Sequence, residues 1–127
     1  MTKKTFDKYI GVKLVTKKKG YARFKLILKP HHLNEGGIAH GGILATLCDI
    51  SLAGALGGLL RKEERCLTAE LDIHFINPAF PTKPIYGFGK VIRKGKNVAF
   101  MEGGIETQDK TTIVRAKGIW VIKTKLL

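Results

Sequence analysis

Cysteine is scarce in this chain: Cys48 and Cys66 are the only two among 127 residues. Two thiols that far apart supply neither a disulfide framework nor a zinc site, and no His/Cys/Asp group has metal-ligand spacing, so no metal is expected. Both sit among apolar neighbours and read as small packed hydrophobes. Acidic residues are also few, 10 against 23 lysines and arginines, which leaves a net charge of +13. Only ten residues are aromatic, too few to interleave with the lysines as a nucleic-acid surface would require, and the lysines themselves are scattered rather than clustered. No nucleic-acid partner is expected. No leader is expected either, since Met-Thr-Lys-Lys-Thr-Phe-Asp lacks the apolar stretch of a signal peptide. The longest apolar segment, Ile43 to Leu60, carries Asp49 and is broken by Gly54, Gly57 and Gly58. A central aspartate costs about 2.5–3.5 kcal/mol on insertion scales, which argues against a membrane span. The expectation is a reduced, cytoplasmic protein. With no repeat, linker or low-complexity segment, residues 1–127 are expected to form one domain large enough to bury a core.

What is present is a single helix among strands. Residues 12–16 and 21–29 read as strands joined by a lysine-rich turn ending at Gly20. Pro30 and the polar run to Gly37 form a loop. From Gly41 to Leu60 the apolar residues surround the helix rather than lining one stripe, which predicts burial on nearly all sides. Leu67–Ile76 alternates, with Leu67, Ala69, Leu71, Ile73 and Phe75 on one face and Thr68, Glu70, Asp72 and His74 on the other. Asn77-Pro78 ends that strand, because proline removes a ladder donor. Ile85–Arg93, Val98–Thr107 and Thr112–Lys123 complete a β-β-α-β-β-β-β order. The expectation is an α+β fold with one long central helix wrapped by an antiparallel sheet.

His40 to Asp49 is the stretch that carries chemistry. His40-Gly41-Gly42 opens the helix with paired glycines, whose N–H groups lie uncovered by side chains and can meet a carbonyl oxygen or an anion. Asp49 lies two turns inside. A carboxylate on an apolar helix is costly unless solvated, paired or used, and Leu47, Cys48 and Ile50 give it no structural task. His31 and His74 read as surface or packing residues.

The pattern His32-x-Asn34-x-x-Gly37-x-x-His40-Gly41-Gly42, followed by Leu47-x-Asp49 and by a strand ending Asn77-Pro78-Ala79, resembles the acyl-CoA thioesterases of the hotdog fold. Within them it is similar to the phenylacetyl-CoA thioesterase-like (PaaI-type) branch, and the resemblance covers roughly residues 10–124. It implies hydrolysis of acyl-CoA to free acid and coenzyme A, with coenzyme A as part of the substrate and no separate cofactor. Carried over residue by residue, it gives Asp49 the acidic catalytic position, as nucleophile or as general base on water. Gly41 takes the place of the backbone N–H that polarises the thioester carbonyl. Asn34 matches a loop asparagine that holds the thioester or the water, and Thr68 a hydroxyl that orients the water. His40 matches a motif histidine that more often fixes the loop than moves protons.

Eight residues of helix from Gly41 to Asp49 span about 12 Å, whereas an oxyanion donor and a nucleophile must both lie about 3 Å from one reacting centre. A symmetric homodimer in which Asp49 of one subunit faces Gly41 of the other resolves this. The resemblance implies the same, with two dimers forming a homotetramer. Arg93, Lys94 and Lys96, around Gly95, are candidates to contact the coenzyme A phosphates. Two rival functions are a hotdog acyl-CoA dehydratase or hydratase, which would use His40 with an acid to move a carbon-bound proton, and a non-catalytic acyl-CoA-binding module, which would have no need of Asp49.

Overall fold

The computed structural model describes residues 4–124. Its elements are α1 (Phe6–Ile10), β1 (Lys13–Lys18), β2 (Tyr21–Leu26), a short 3-10 turn (Pro30–His32), α2 (Gly41–Gly57), β3 (Arg65–Phe75), β4 (Ile85–Lys94), β5 (Val98–Glu106) and β6 (Thr112–Lys123). The six strands form one antiparallel sheet in the order β1-β2-β4-β5-β6-β3. The α+β arrangement expected from the sequence is the one observed. α1 and the 3-10 turn were not anticipated, being too short to show a hydrophobic period.

α2 packs mainly over β4 and β5 with β2 alongside. Glycine makes that approach possible: a Cβ on Gly89 would lie 2.8 Å from the Leu52 Cα and overlap the Ser51 carbonyl, and one on Gly87 would meet the Leu47 side chain. Backbone cannot rotate out of the way, so Gly89→Ala must lift the helix off the sheet. Overpacking of this kind costs about 1–3 kcal/mol, and Gly89→Ala is expected to lower the denaturant midpoint accordingly.

The helix departs from the sequence reading in two respects. It ends at Gly57, with Gly58 as its cap, rather than at Leu60, because Gly57 and Gly58 disfavour continuation. It is also not buried all round. Leu44, Leu47, Cys48, Ser51, Leu52, Ala55 and Leu56 are buried, at i, i+3, i+4 spacing, while Ile43, Ala45, Thr46, Asp49, Ile50 and Ala53 are half-buried. One sheet layer covers one stripe of a helix. The opposite face, with Ile43, Ala45, Ile50 and Ala53, is nearly as apolar and is only half covered by the described residues.

β3 holds the most consequential correction. Plain alternation puts Thr68 on the face opposite Leu71, Ile73 and Phe75. The register of β3 against β6 shifts between Thr68, opposite Trp120, and Glu70, opposite Ile119. Ala69 is the extra residue of a β-bulge, and one extra residue reverses the facing of everything before it. Cys66 and Thr68 therefore share the helix-covered face with Leu71, Ile73 and Phe75. β3 is also an edge strand, with β6 as its one partner among the described residues, and Leu67 on it is 49% exposed.

Candidate active site

The loop before α2 is built from short-range hydrogen bonds. Asn34 Oδ1 accepts from Gly36 N–H at 2.9 Å and Ile38 N–H at 3.4 Å, and Asn34 N–H donates to the Ile38 carbonyl. Gly37 closes the turn at φ 82°, a conformation that favours glycine. Ala39 N–H then donates to the Ala79 carbonyl, which ties the loop to the segment after Asn77-Pro78. His40 is the N-cap of α2, its Nδ1 accepting from Gly42 N–H at 2.8 Å. A histidine cap does here what serine or aspartate usually does.

Gly42 N–H is thus taken. Gly41 N–H, the first of the helix, has no acceptor among the described residues. Gly41 is exposed, and the Phe75 ring lies beside it, 3.8 Å from where a Gly41 Cβ would be. The arrangement leaves one donor, supported by the positive end of a seventeen-residue helix, free to receive an oxygen from outside.

Asp49 stands on the half-buried side of α2, and Thr68 Oγ1 donates to its Oδ1 at 2.8 Å. This contact exists only because the Ala69 bulge turns Thr68 towards the helix. Two thiols flank the pair. Burial, with the Asp49 carboxylate adding to it, pushes Cys48 up to about 12 and raises Cys66 as well. Both stay thiols at neutral pH, so neither supplies a thiolate beside Asp49. The structure thereby sets Thr68 against Asp49 and His40 as the cap next to Gly41, while the contacts of Asn34 are those of its own turn, to Gly36, Gly37 and Ile38. Gly41 and Asp49 lie on one helix, two turns apart.

Arg93 and Lys96 are exposed around the β4–β5 turn, whereas Lys94 is half-buried, its Nζ 3.7 Å from the buried carboxylate of Glu64. Glu64 also accepts from Arg61 N–H at 2.9 Å; that bond, with Lys94 and Arg61 nearby, holds its carboxyl below the usual range. His31 and His74 are exposed. One residue of the motif was given no role by the sequence: His32 is buried. The only hint was its place between Pro30 and Asn34.

Among the described residues, no group of three or more His, Cys, Asp or Glu is arranged to hold a metal ion, and no helix is long and apolar enough to cross a membrane.

Comparison with known proteins places these features in context. Residues 36–114 match the model of the thioesterase superfamily. "Putative esterase SSO2140" of Saccharolobus solfataricus is 32% identical over 121 residues, covering 94% of this chain and 84% of that protein. Among solved structures, the Escherichia coli PaaI protein of the phenylacetic acid degradation operon superposes with a TM-score of 0.84 at 22% identity, over 91% of this chain and 81% of that one. A "Hypothetical Thioesterase Protein" from Streptococcus pneumoniae, solved with coenzyme A, superposes with a TM-score of 0.83 at 19% identity, over 92% and 89% of the two chains. Fold, motif and family match agree: the chain belongs to the thioesterase superfamily and is a thioester hydrolase of the hotdog fold.

Proposed function

We propose that this protein hydrolyses acyl-CoA thioesters to the free acid and coenzyme A, with Asp49 as nucleophile or as general base on water. The observation that carries this reading is the Thr68–Asp49 hydrogen bond at 2.8 Å on the uncovered side of α2. It holds one carboxylate oxygen and leaves the other for a carbonyl carbon or a water. Gly41 N–H would stabilise the oxyanion that develops on the thioester oxygen. Asn34 would hold the loop edge of the site. His40 serves as the cap, and with its Nδ1 engaged by Gly42 it supports hydrolysis over a dehydratase reaction.

The site in this reading crosses a dimer interface. α2 starts at Gly41, so about 12 Å of helix separates the donor from Asp49, more than one side chain bridges. A second copy packed on the uncovered apolar face of α2, with its own helix antiparallel, would bring each Asp49 to the other's Gly41. Two such dimers would form the tetramer, with residues 1–127 making one domain per subunit.

Coenzyme A would lie with its phosphates at the β4–β5 turn. Arg93 and Lys96 are the exposed cations there, and Lys94, shared with Glu64, contributes less. The test follows thiol release from acyl-CoA esters, acetyl to palmitoyl with phenylacetyl included, and from matching pantetheine esters that lack the nucleotide. Arg93→Ala with Lys96→Ala is expected to raise KM for acyl-CoA about 3- to 10-fold and leave kcat nearly unchanged, since contacts far from the carbonyl bind ground and transition states alike. The pantetheine esters should be unaffected. Equal losses on both substrates would remove the turn from phosphate binding, and a hydrated product from crotonyl-CoA with no thiol released would overturn the hydrolase mechanism.

A further inference from the structure

The start of α2 is braced by a residue to which no chemistry has been given. His32 is 2% exposed. Its Nδ1 accepts from Lys29 N–H at 2.9 Å, and its own N–H donates to the Lys29 carbonyl at 2.9 Å, so ring and backbone clamp the same residue. Its carbonyl receives His40 N–H at 2.8 Å, and the Nδ1 of His40 in turn caps Gly42. The far ring nitrogen, Nε2, is buried without a well-formed hydrogen bond.

We propose that His32 is a positioning residue of the active site, whose neutral ring locks the backbone that sets His40 and, through His40, the direction of the Gly41 N–H. What that N–H is used for rests on the thioesterase reading; the mechanical linkage does not. A buried imidazole that accepts at Nδ1 must carry its proton at Nε2. Protonation would place a second N–H at Nδ1, opposite Lys29 N–H, and the clamp would open. The surroundings hold the ring neutral. Burial lowers its pKa most, and the neighbouring His31 and Lys29 act in the same direction, while the Ile10 carbonyl at the end of α1 opposes them. The His31 ring lies tilted with its centroid 4.2 Å from that of His32, and is itself 6.1 Å from the Tyr9 ring of α1; His40 meets His32 through the backbone hydrogen bond already described. Since the folded pKa lies below the unfolded value of 6.5, the unfolded chain binds more protons between the two. The contribution of His32 to the fold is complete above 6.5 and is lost as pH falls towards the folded value.

The test uses the assembled enzyme and two variants. Asparagine puts an oxygen near the position of Nδ1 and cannot be protonated; leucine fills the space without an acceptor. His32→Asn is expected to keep kcat within about 3-fold at pH 7.5 and to lose part of the acid limb of the kcat profile. His32→Leu is expected to lose about 10- to 100-fold in kcat with KM little changed, the scale of a small misplacement of a catalytic group. Any acid limb that survives in His32→Asn belongs to His40 or another group. In the wild type, the amide resonances of Lys29 and His40 should move together with a midpoint below pH 6.5, and this movement should vanish in His32→Asn. A His32→Leu enzyme with wild-type kcat, a His32→Asn enzyme as slow as the leucine variant, or a His40 amide that does not follow the His32 ring would each overturn the proposal. The amide titration needs neither turnover nor variants that fold. If no thioester is hydrolysed, the functional reading fails while the linkage still stands or falls by its own measurement.

Discussion

Asp49→Asn is expected to fold and assemble as the wild type does and to lose nearly all hydrolysis, a fall in kcat of at least about 100-fold and up to about 10⁴-fold, the range for removal of a general base. Asparagine keeps the size of the side chain and an oxygen at Oδ1, so it can still accept the Thr68 hydroxyl that stands at 2.8 Å. The negative charge that would attack the carbonyl or take a proton from water is gone. The two flanking thiols cannot substitute, because burial, the larger cause of their raised pKa, still keeps Cys48 and Cys66 protonated once the carboxylate is gone. Steady-state thiol release, with a thermal melt to confirm folding, checks the outcome. Wild-type turnover in Asp49→Asn would remove the carboxylate from the mechanism. Asp49→Ala is the poorer choice, since it also releases the Thr68 hydroxyl and alters the burial of the helix face.

The second large effect is expected from mixing inactive subunits. Gly41→Pro deletes the one N–H at the helix start that has no acceptor of its own among the described residues. Gly41 is the first helical residue after the His40 cap, a position where proline is well tolerated because its missing donor has no intrahelical partner. The variant is therefore expected to fold and to be nearly inactive, with a loss of about 100- to 1000-fold by comparison with other oxyanion donors. When unfolded and refolded together with Asp49→Asn, half of the random dimers are mixed. Each mixed dimer has one site with both wild-type groups if the site crosses the interface, so about a quarter of wild-type activity should return. Mixed dimers shown to form without any recovery would place both groups in one chain.

Much of this was legible along the chain. The succession of the six strands and the long helix along the chain, the Thr112–Lys123 strand to the residue, and the helix start at Gly41 all follow from local patterns: alternation, turn glycines, and a histidine-glycine-glycine start. Those signals are carried by neighbours in sequence, and the motif residues Asn34, His40, Gly41 and Asp49 are close enough together to be read as a unit.

Three features lay beyond it, each for a physical reason. The facing of Thr68 depends on the Ala69 bulge, and a bulge is decided by how β3 registers against β6, more than forty residues away in the chain. The burial of α2 was overestimated, because composition shows that a surface is apolar but not how much of it one sheet can reach. His32 looked like one polar residue in a polar loop, and only its position under α1 and against the His40 amide makes it a buried brace. The amino-acid sequence by itself determined the elements and the residue types available for chemistry, since propensity and periodicity act between near neighbours. The tertiary structure alone decided which of those residues meet, because contacts across a sheet and beneath a helix are set by register and packing over the whole chain.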